Sequence, residues 1–531
     1  MAVLKLSTPG AYVQEIPSLP PSVAEVKTAI PAFIGYTEKA DRFSKGDLIM
    51  IPIKIENMSE YETFYGKAAI ESPKSVNIEI TNYGNNDYDI LVNYKIPKPE
   101  DPPPPQQPVP DNPLFHLDDK SNYNLYYSIK HFYDNGGGTC YITAVDTYQD
   151  SGKVEADKLI GGITAVADID EVTILSVPES IKMDSQADLD KPTPVQPAKY
   201  IQVVGQLIEQ TNTLQDRFAL IDPFIVTSKT SKLPSGKISR DVEVIRNATP
   251  TPSESKYAAA YYPNLITTYT YRFNVDSTDP KDPDINLDKL IVNKYSWAGT
   301  GDDPKTPIEI KQGTSLKDLK IKVNVLYTQI KTEVNKRYVV LPPSPAIAGL
   351  YTRVDNTKGV WKAPANESLF SVVSPDIAFS NREQDNLNID PNSGKSINVI
   401  RTFPGYGTLV WGARTLNGND NEWKYISVRR FFNMVEESIK KSSQWAVFEP
   451  NTINTWVKIS AMIENYLFVK WRDGALAGSK PEQAFYVRVG LGTTMTALDI
   501  LEGRMNIEIG MAVARPAEFI VLKFTQLMQQ S

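Results

Sequence analysis

The sequence predicts a mixed α+β and α/β multidomain chain with β-rich insertions and an extended strand arm at each end. Three observations carry this. Strand-like and helix-like runs alternate between residues 122 and 222, the pattern of an α/β layer. Two stretches, 38–118 and 267–336, break that alternation. Apolar, strand-type runs lie near both ends, in TPGAYVQEIP and RPAEFIVLKF, where chains are usually polar and frayed. At 531 residues the chain exceeds one simple core, and about two to four domains or inserted subdomains are expected.

Residues 1–37 form the first part, an arm and then a first buried strand in AIPAFIGYT, with Phe33 and Ile34 apolar and Gly35 near its end. Residues 38–118 read as an inserted β-rich outer domain. SVNIEITNYG and YDILVNY alternate around Asn-Gly turn chemistry. The following KIPKPEDPPPPQQPVPDNP is too rich in proline for helix or central strand and reads as a stiff extended linker. Residues 119–266 form an α/β middle domain. It opens with a helix carrying Leu125, Ile129 and Phe132, a glycine stop at 136–138, and a strand. Strands over 172–178 and 216–222 flank a helix in YIQVVGQLIEQTNT. Residues 267–336, rich in Asp and Lys, read as a second insertion.

Residues 337–514 are the most regularly patterned. VRRFFNMVEESIKK places Val428, Phe431, Phe432, Val435 and Ile439 on one helical face. NTINTWVKISAMIENYLFVKWRDG is a longer helix with Gly474 as its stop. Trp456, Val457, Ile459, Ile463, Leu467, Phe468 and Trp471 run nearly all the way round it, which predicts burial on every face, in a deep core or against another subunit. FYVRVG and MNIEIGMAVA alternate like half-exposed strands, and residues 515–531 form the C-terminal arm strand.

Composition narrows the chemistry. Hydrophobic residues at 41% and charged residues at 22% describe a folded chain. One cysteine, Cys140, gives no intrachain disulfide and no sign of an oxidising compartment. The first residues lack a signal-peptide pattern, and no run of about 18 apolar residues marks a membrane span. The net charge of −7 opposes polyanion binding through bulk electrostatics. With only His116 and His131 beside the one cysteine, a His/Cys zinc set is out of reach without carboxylates, and His131 beside Phe132 and Tyr133 reads as a packed helix residue. No P-loop is present. FPGYGTLVWGAR departs from dinucleotide spacing and reads as a turn. The expectation is no catalytic residue, no metal and no cofactor.

The resemblance comes from longer stretches. TPGAYVQEIP followed by AIPAFIGYT, then PPSPAIAGLYTRVDNTKGVWKAPANE, SINVIRTFPGYGTLVWGARTL, WKYISVRRFF, FEPNTINTWVKI, WRDGALAG and AFYVRVGLGTTMTALDILEGRMNIEIGMAVARPAEFIVLKF resemble contractile tail sheath proteins of phages and phage-tail-like injection systems, single-chain type. The match covers most of 338–531, with shorter stretches at 9–37, 172–178 and 216–222.

The resemblance implies a sheath core built from N- and C-terminal parts, with the insertions facing outward. It implies a structural, non-enzymatic subunit that polymerises helically around an inner tube and contracts to drive that tube through an envelope. Its arms add strands to neighbouring subunits: Ala11, Tyr12, Val13, Glu15 and Ile16 at one end; Glu518, Phe519, Ile520, Val521, Leu522 and Phe524 at the other. Charges at Lys470, Arg472 and Asp473 are the expected inner-tube contact. Implied partners are further copies of the chain or a paralogous sheath subunit, the inner tube protein, and baseplate and cap proteins, with no direct nucleic-acid contact and no membrane insertion. Assembly is expected in the bacterial cytoplasm. The alternatives are a surface adhesin, suggested by 38–118, and a hydrolase, for which no clustered site is visible.

Overall fold

The structure, a computed structural model, describes residues 22–69, 77–84, 87–93, 123–149, 153–183, 197–224, 234–272, 291–297, 313–335 and 338–522. Its described part forms two compact units. One is Lys27–Arg430; the other joins the segment up to Val26 with the chain from Phe431 onward.

The larger unit begins with β1 (Pro31–Thr37), buried along its whole length, as expected of a strand covered on both faces. After β2 (Ile53–Ile55) and α1 (Met58–Tyr65) comes a hairpin of β3 (Asn77–Gly84) and β4 (Asp87–Asn93). The alternation foreseen from the sequence follows: α2 (Leu125–Asp134), β5 (Cys140–Thr147), α3 (Ala156–Ala165), β6 (Ile174–Ser176), α4 (Ala198–Leu214), β7 (Phe218–Ile221), α5 (Pro234–Ala248) and β8 (Ala258–Tyr262). Next are β9 (Leu265–Thr270), β10 (Val292–Trp297), α6 (Leu316–Lys322), α7 (Asn324–Asn335), β11 (Tyr338–Leu341) and α8 (Ser344–Lys358). Then β12 (Glu367–Ser368), β13 (Val372–Pro375), α9 (Asn381–Asn388), β14 (Ile397–Phe403) and β15 (Gly407–Val410) lead to α10 (Ile426–Ser442).

Nine of these strands form one sheet in the order β12-β15-β14-β8-β7-β6-β1-β5-β2. Its centre, from β14 to β5, is parallel. Alternate residues of each central strand enter opposite cores. Ala32 and Ile34 of β1, Ala219 and Ile221 of β7, and Ala258 and Ala260 of β8 share one. Phe33, Phe218, Leu220, Ala259 and Tyr261 share the other with residues of α2 and α8. β14 draws the later half of the sequence into this sheet beside β8.

Three boundaries differ from those drawn on the sequence. β2 and α1 lie inside 38–118, yet β2 pairs with β5 and Tyr61 and Tyr65 of α1 pack into the main core. The two stretches read as separate insertions meet: β10 pairs in parallel with β3, and Ile78, Ile80, Val292, Leu319 and Ile330 share a small core. The part drawn as 337–514 divides at Arg430, because β11 through β15 belong to the larger unit. The Pro-rich linker lies outside the described residues.

Doubly wound sheets bind ligands at the carboxyl ends of strands where the strand order reverses. Here that reversal falls at β1, with β5 on one side and β6 on the other. A side chain of the protein fills the place. Glu179, in the short 3₁₀ turn Pro178–Lys182 after β6, is fully buried. Its Oε2 accepts the Tyr36 N–H at 2.8 Å, and its Oε1 accepts the N–H groups of Asn124 and Leu125 at 2.9 and 3.2 Å, where α2 begins. Gly35 makes the room, since a Cβ there would stand 2.7 Å from that carboxylate. A carboxylate thus occupies the anion position of a helix N-terminus.

His131 and Cys140 are likewise structural. His131 is buried, with its Nε2 3.1 Å from the Phe370 carbonyl, and burial lowers its pKa to about 4. Burial pushes the Cys140 thiol up to about 12.

Candidate assembly surface

The smaller unit rests on two helices. α10 runs on through Phe431, Met434, Val435 and Ile439, all buried. α11 (Ile453–Arg472) buries Thr455, Ile459, Met462, Ile463, Tyr466, Leu467 and Lys470, a helical stripe. It stops at Gly474, whose φ of 86° suits glycine. α11 is not buried on all sides. Ile453, Val457 and Phe468 are 66%, 61% and 41% exposed, so of the two expectations a deep core does not hold, and an apolar face is left open.

α12 (Pro481–Ala484) leads into β16 (Phe485–Val489), and α13 (Ala497–Leu501) precedes β17 (Ile507–Met511). The two strands pair antiparallel, Val487 opposite Ile509 and Tyr486 opposite Gly510. One face is apolar, carrying Phe485, Val487, Val489, Ile507, Ile509 and Met511. The other is polar and ordered by Tyr486: its ring lies over Gly510, its hydroxyl donates to Glu508 at 2.6 Å, and Arg488 stacks 4.6 Å from the ring centre. Among the described residues this sheet has only these two strands.

A groove of about 330 Å³ opens where Ile507, Ile509 and Met511 face Val435 and Ile439 of α10 and Ile463 of α11. Its polar lining is Glu436 and Lys440. After β17 the chain makes one more antiparallel contact, Ala477 N–H to Ala512 C=O at 2.7 Å and Ala514 N–H to Ala475 C=O at 2.9 Å. It then leaves through Arg515 and Pro516. Phe519, Ile520, Val521 and Leu522 are 69%, 79%, 77% and 72% exposed, four consecutive apolar residues facing solvent.

Among the residues singled out from the sequence, Phe519 to Leu522 therefore lie in an exposed segment outside any strand, Glu518 before them is half-buried, and Phe524 lies outside the described residues, as do Ala11, Tyr12, Val13, Glu15 and Ile16. Lys470, Arg472 and Asp473 do not share one environment. Arg472 and Asp473 are exposed, but Lys470 is buried and ion-paired with Glu25. Sequence reasoning missed that pairing and the path of Ser22–Val26. This segment lies along the two helices, with Ala24 N–H on Ser442 Oγ and Val26 N–H on Ser438 Oγ, both at 3.1 Å. Five residues without periodicity carry no signal for it. Among the described residues no helix is long and apolar enough to cross a membrane, and no three His, Cys, Asp or Glu cluster as metal ligands.

Residues 418–526 match the family described as the phage tail sheath C-terminal domain. The tail sheath protein of Enterobacteria phage T4 is 28% identical over 130 residues, 24% of this chain and 19% of that protein. The tail sheath protein of Vibrio phage KVP40 is 23% identical over 182 residues, 33% of this chain and 26% of that protein. The chain thus spans about a fifth to a quarter of these curated relatives. Similarity to solved structures is far more extensive. The helical sheath of the anti-feeding prophage (AFP) in its contracted state is 28% identical, with 98% of this chain and 99% of that one covered and a TM-score of 0.57. The PVC sheath complex of an extracellular contractile injection system, also contracted, is 26% identical, with 98% of each chain covered and the same TM-score. A chain of the six-fold symmetrised AFP baseplate is 27% identical, covering 98% of this chain and all of that one, at 0.56.

Proposed function

We propose that this chain, which carries a phage tail sheath C-terminal domain and is similar to contractile sheath proteins over nearly its whole length, is the structural subunit of a contractile sheath. It polymerises helically around an inner tube and shortens to drive the tube through a target envelope, and its work is mechanical rather than chemical. The observation that carries this beyond likeness is the run Phe519–Leu522, exposed in the same unit as a sheet that has two strands among the described residues. Such a sheet has two edges, and an extended apolar segment is what an edge accepts. In the assembly, the segments holding Ala11–Ile16 and Glu518–Phe524 each add a strand to a neighbouring subunit.

Burying two side chains of the run on the sheet's apolar face contributes on the order of 3–6 kcal/mol. Each backbone hydrogen bond of the added strand contributes ~0.5–1.5 kcal/mol more. Ordering the segment and the subunits offsets part of this, so one joint is modest and a cylinder of them is firm. Pro516 marks where the chain leaves the fold, a hinge about which the joint turns as subunits slide. Further partners in this reading are a baseplate, because a baseplate chain shares the fold, and the inner tube, met by Arg472 and Asp473.

Negative-stain electron microscopy of the full chain beside a chain ending at Ala514 tests the proposal. Long hollow cylinders from the first and none from the second are expected. Discrete particles of one size from both, across several salt concentrations, would sink it.

A further inference from the structure

We infer that the segment leading in from the N-terminal arm is a two-stage tether: a strip that peels, Ser22–Val26, followed by a fixed stop at Thr28–Ile30. The inference rests on the reading of the preceding residues as an arm held by a neighbour.

The strip is held thinly. Ser22, Ala24 and Glu25 are exposed, and Val23 and Val26 only half-buried. Its backbone bonds go to side chains, Ser442 and Ser438, rather than into a ladder. Its remaining hold is the Glu25 carboxylate, which pairs with Lys470 and takes the Tyr466 hydroxyl at 3.5 Å. Water can replace the serine and tyrosine contacts, and the ion pair is open on its Glu25 side, where solvent screens the carboxylate and reaches Lys470 once the strip lifts. Release does not unravel the support: Ser438 keeps its own 2.6 Å bond to the Met434 carbonyl within α10.

The stop has the opposite construction. Thr28 Oγ1 donates to Asp355 at 2.6 Å, and the Thr28 carbonyl accepts from Arg430 and from Thr173 Oγ1, each at 3.0 Å. Ile30 N–H donates to Thr173 Oγ1 at 2.9 Å, and Ile30 C=O accepts the Thr173 N–H at 2.9 Å. Arg430 grips Asp355 through its two terminal guanidinium nitrogens, Nη1 and Nη2, at 3.0 and 2.5 Å, lies 4.3 Å over the Tyr351 ring, and both members of the ion pair are 4% exposed. A buried ion pair adds little net stability but fixes position, and breaking it leaves a buried charge.

Pulled from its N-terminal side, the chain therefore lifts from Ser22 to Val26 and halts at Thr28. Five residues release up to roughly 17 Å of slack at a strand's rise per residue. A subunit that stays joined to its neighbours while it shifts uses slack of this kind, with an end point.

Hydrogen exchange on the full, unassembled chain tests the strip directly. The Ala24 and Val26 amides are expected to exchange at least about tenfold faster than that of Ile30. The double variant Ser438→Ala/Ser442→Ala should speed them further while Ile30 and the α10 amides keep their rates, and Asp355→Asn should speed Ile30. Equal protection of Val26 and Ile30 in the wild type overturns the inference. A second experiment places cysteines at Ala24→Cys and Ser442→Cys. Oxidised cylinders should fail to contract under an acid or urea trigger and recover on reduction; contraction unaffected by the cross-link also overturns it. Absence of cylinders from the wild type counts against the sheath reading alone, and the exchange contrast still decides the strip.

Discussion

Tyr486 covers Gly510, the one position in β16 and β17 that has no side chain of its own. A Cβ on Gly510 would stand 2.2 Å from its ring, so Gly510→Val must expel the tyrosine and with it the Glu508 and Arg488 contacts. A loss of about 1–3 kcal/mol in the hairpin's unit is expected, read as a lower urea midpoint for that unit. None of this is legible in MNIEIGMAVA, where Gly510 looks like a flaw in the strand, because its partner sits 24 positions away in register 486↔510. His131 gives a pH prediction. Its folded pKa of about 4 lies below the ordinary 6.5, so the unfolded chain binds the proton first. Stability from this residue is complete above pH 6.5 and is lost as pH falls toward 4, by up to about 3 kcal/mol. Asp222 runs the other way: burial raises its carboxyl to about 7, so its contribution improves as pH falls through 7. Comparing wild type with His131→Gln, which keeps a donor for the Phe370 carbonyl, isolates the histidine. The difference in unfolding free energy between the two should change by ~2–3 kcal/mol between pH 7 and 4, and a constant difference would refute the assignment.

α11 shows how far periodicity reaches at the scale of an element. The helix and its glycine stop were readable from apolar spacing and one φ-permissive residue, as were α2, α4, α10 and four of the nine strands of the large sheet, β1, β5, β6 and β7. Which faces are covered was not. Its apolar residues run nearly all the way round, and the fold buries only the face that carries Ile459, Met462, Ile463, Tyr466 and Leu467. The open face predicts a separation of folding from assembly. Val457→Lys, at a position 61% exposed, should leave the subunit's stability within about 0.5 kcal/mol. Cylinder formation, followed by light scattering and microscopy, should fall sharply. Normal cylinders from this variant would mean that the face stays wet in the assembly. The exposed run Phe519–Leu522 is conspicuous in the sequence because four consecutive apolar residues near a terminus need no tertiary context to stand out.

Across the whole molecule, the pairing of β3 with β10 joins segments about two hundred residues apart, and no local pattern announces such a contact. The division at Arg430 was hidden for a related reason: α10 is one continuous amphipathic helix, and its sequence does not change where the chain passes from one unit to the other. Two units with separate cores predict two calorimetric transitions for the unassembled chain. Gly510→Val should lower one of them and leave the other in place; a single transition shifting as a whole would show that the units unfold together.

Glu179 has a consequence for how the large sheet keeps its stiffness. Its carboxylate is the anion that a sheet of this topology would otherwise take from solution. A scaffold whose anion arrives by diffusion has a rigidity that follows metabolite supply, because occupancy adds stability only while the ligand is abundant. A carboxylate carried in the chain is present at fixed occupancy whatever the surroundings contain. Every copy of this chain therefore carries the same anion at the same place, and the stiffness of its sheet does not vary with what surrounds it.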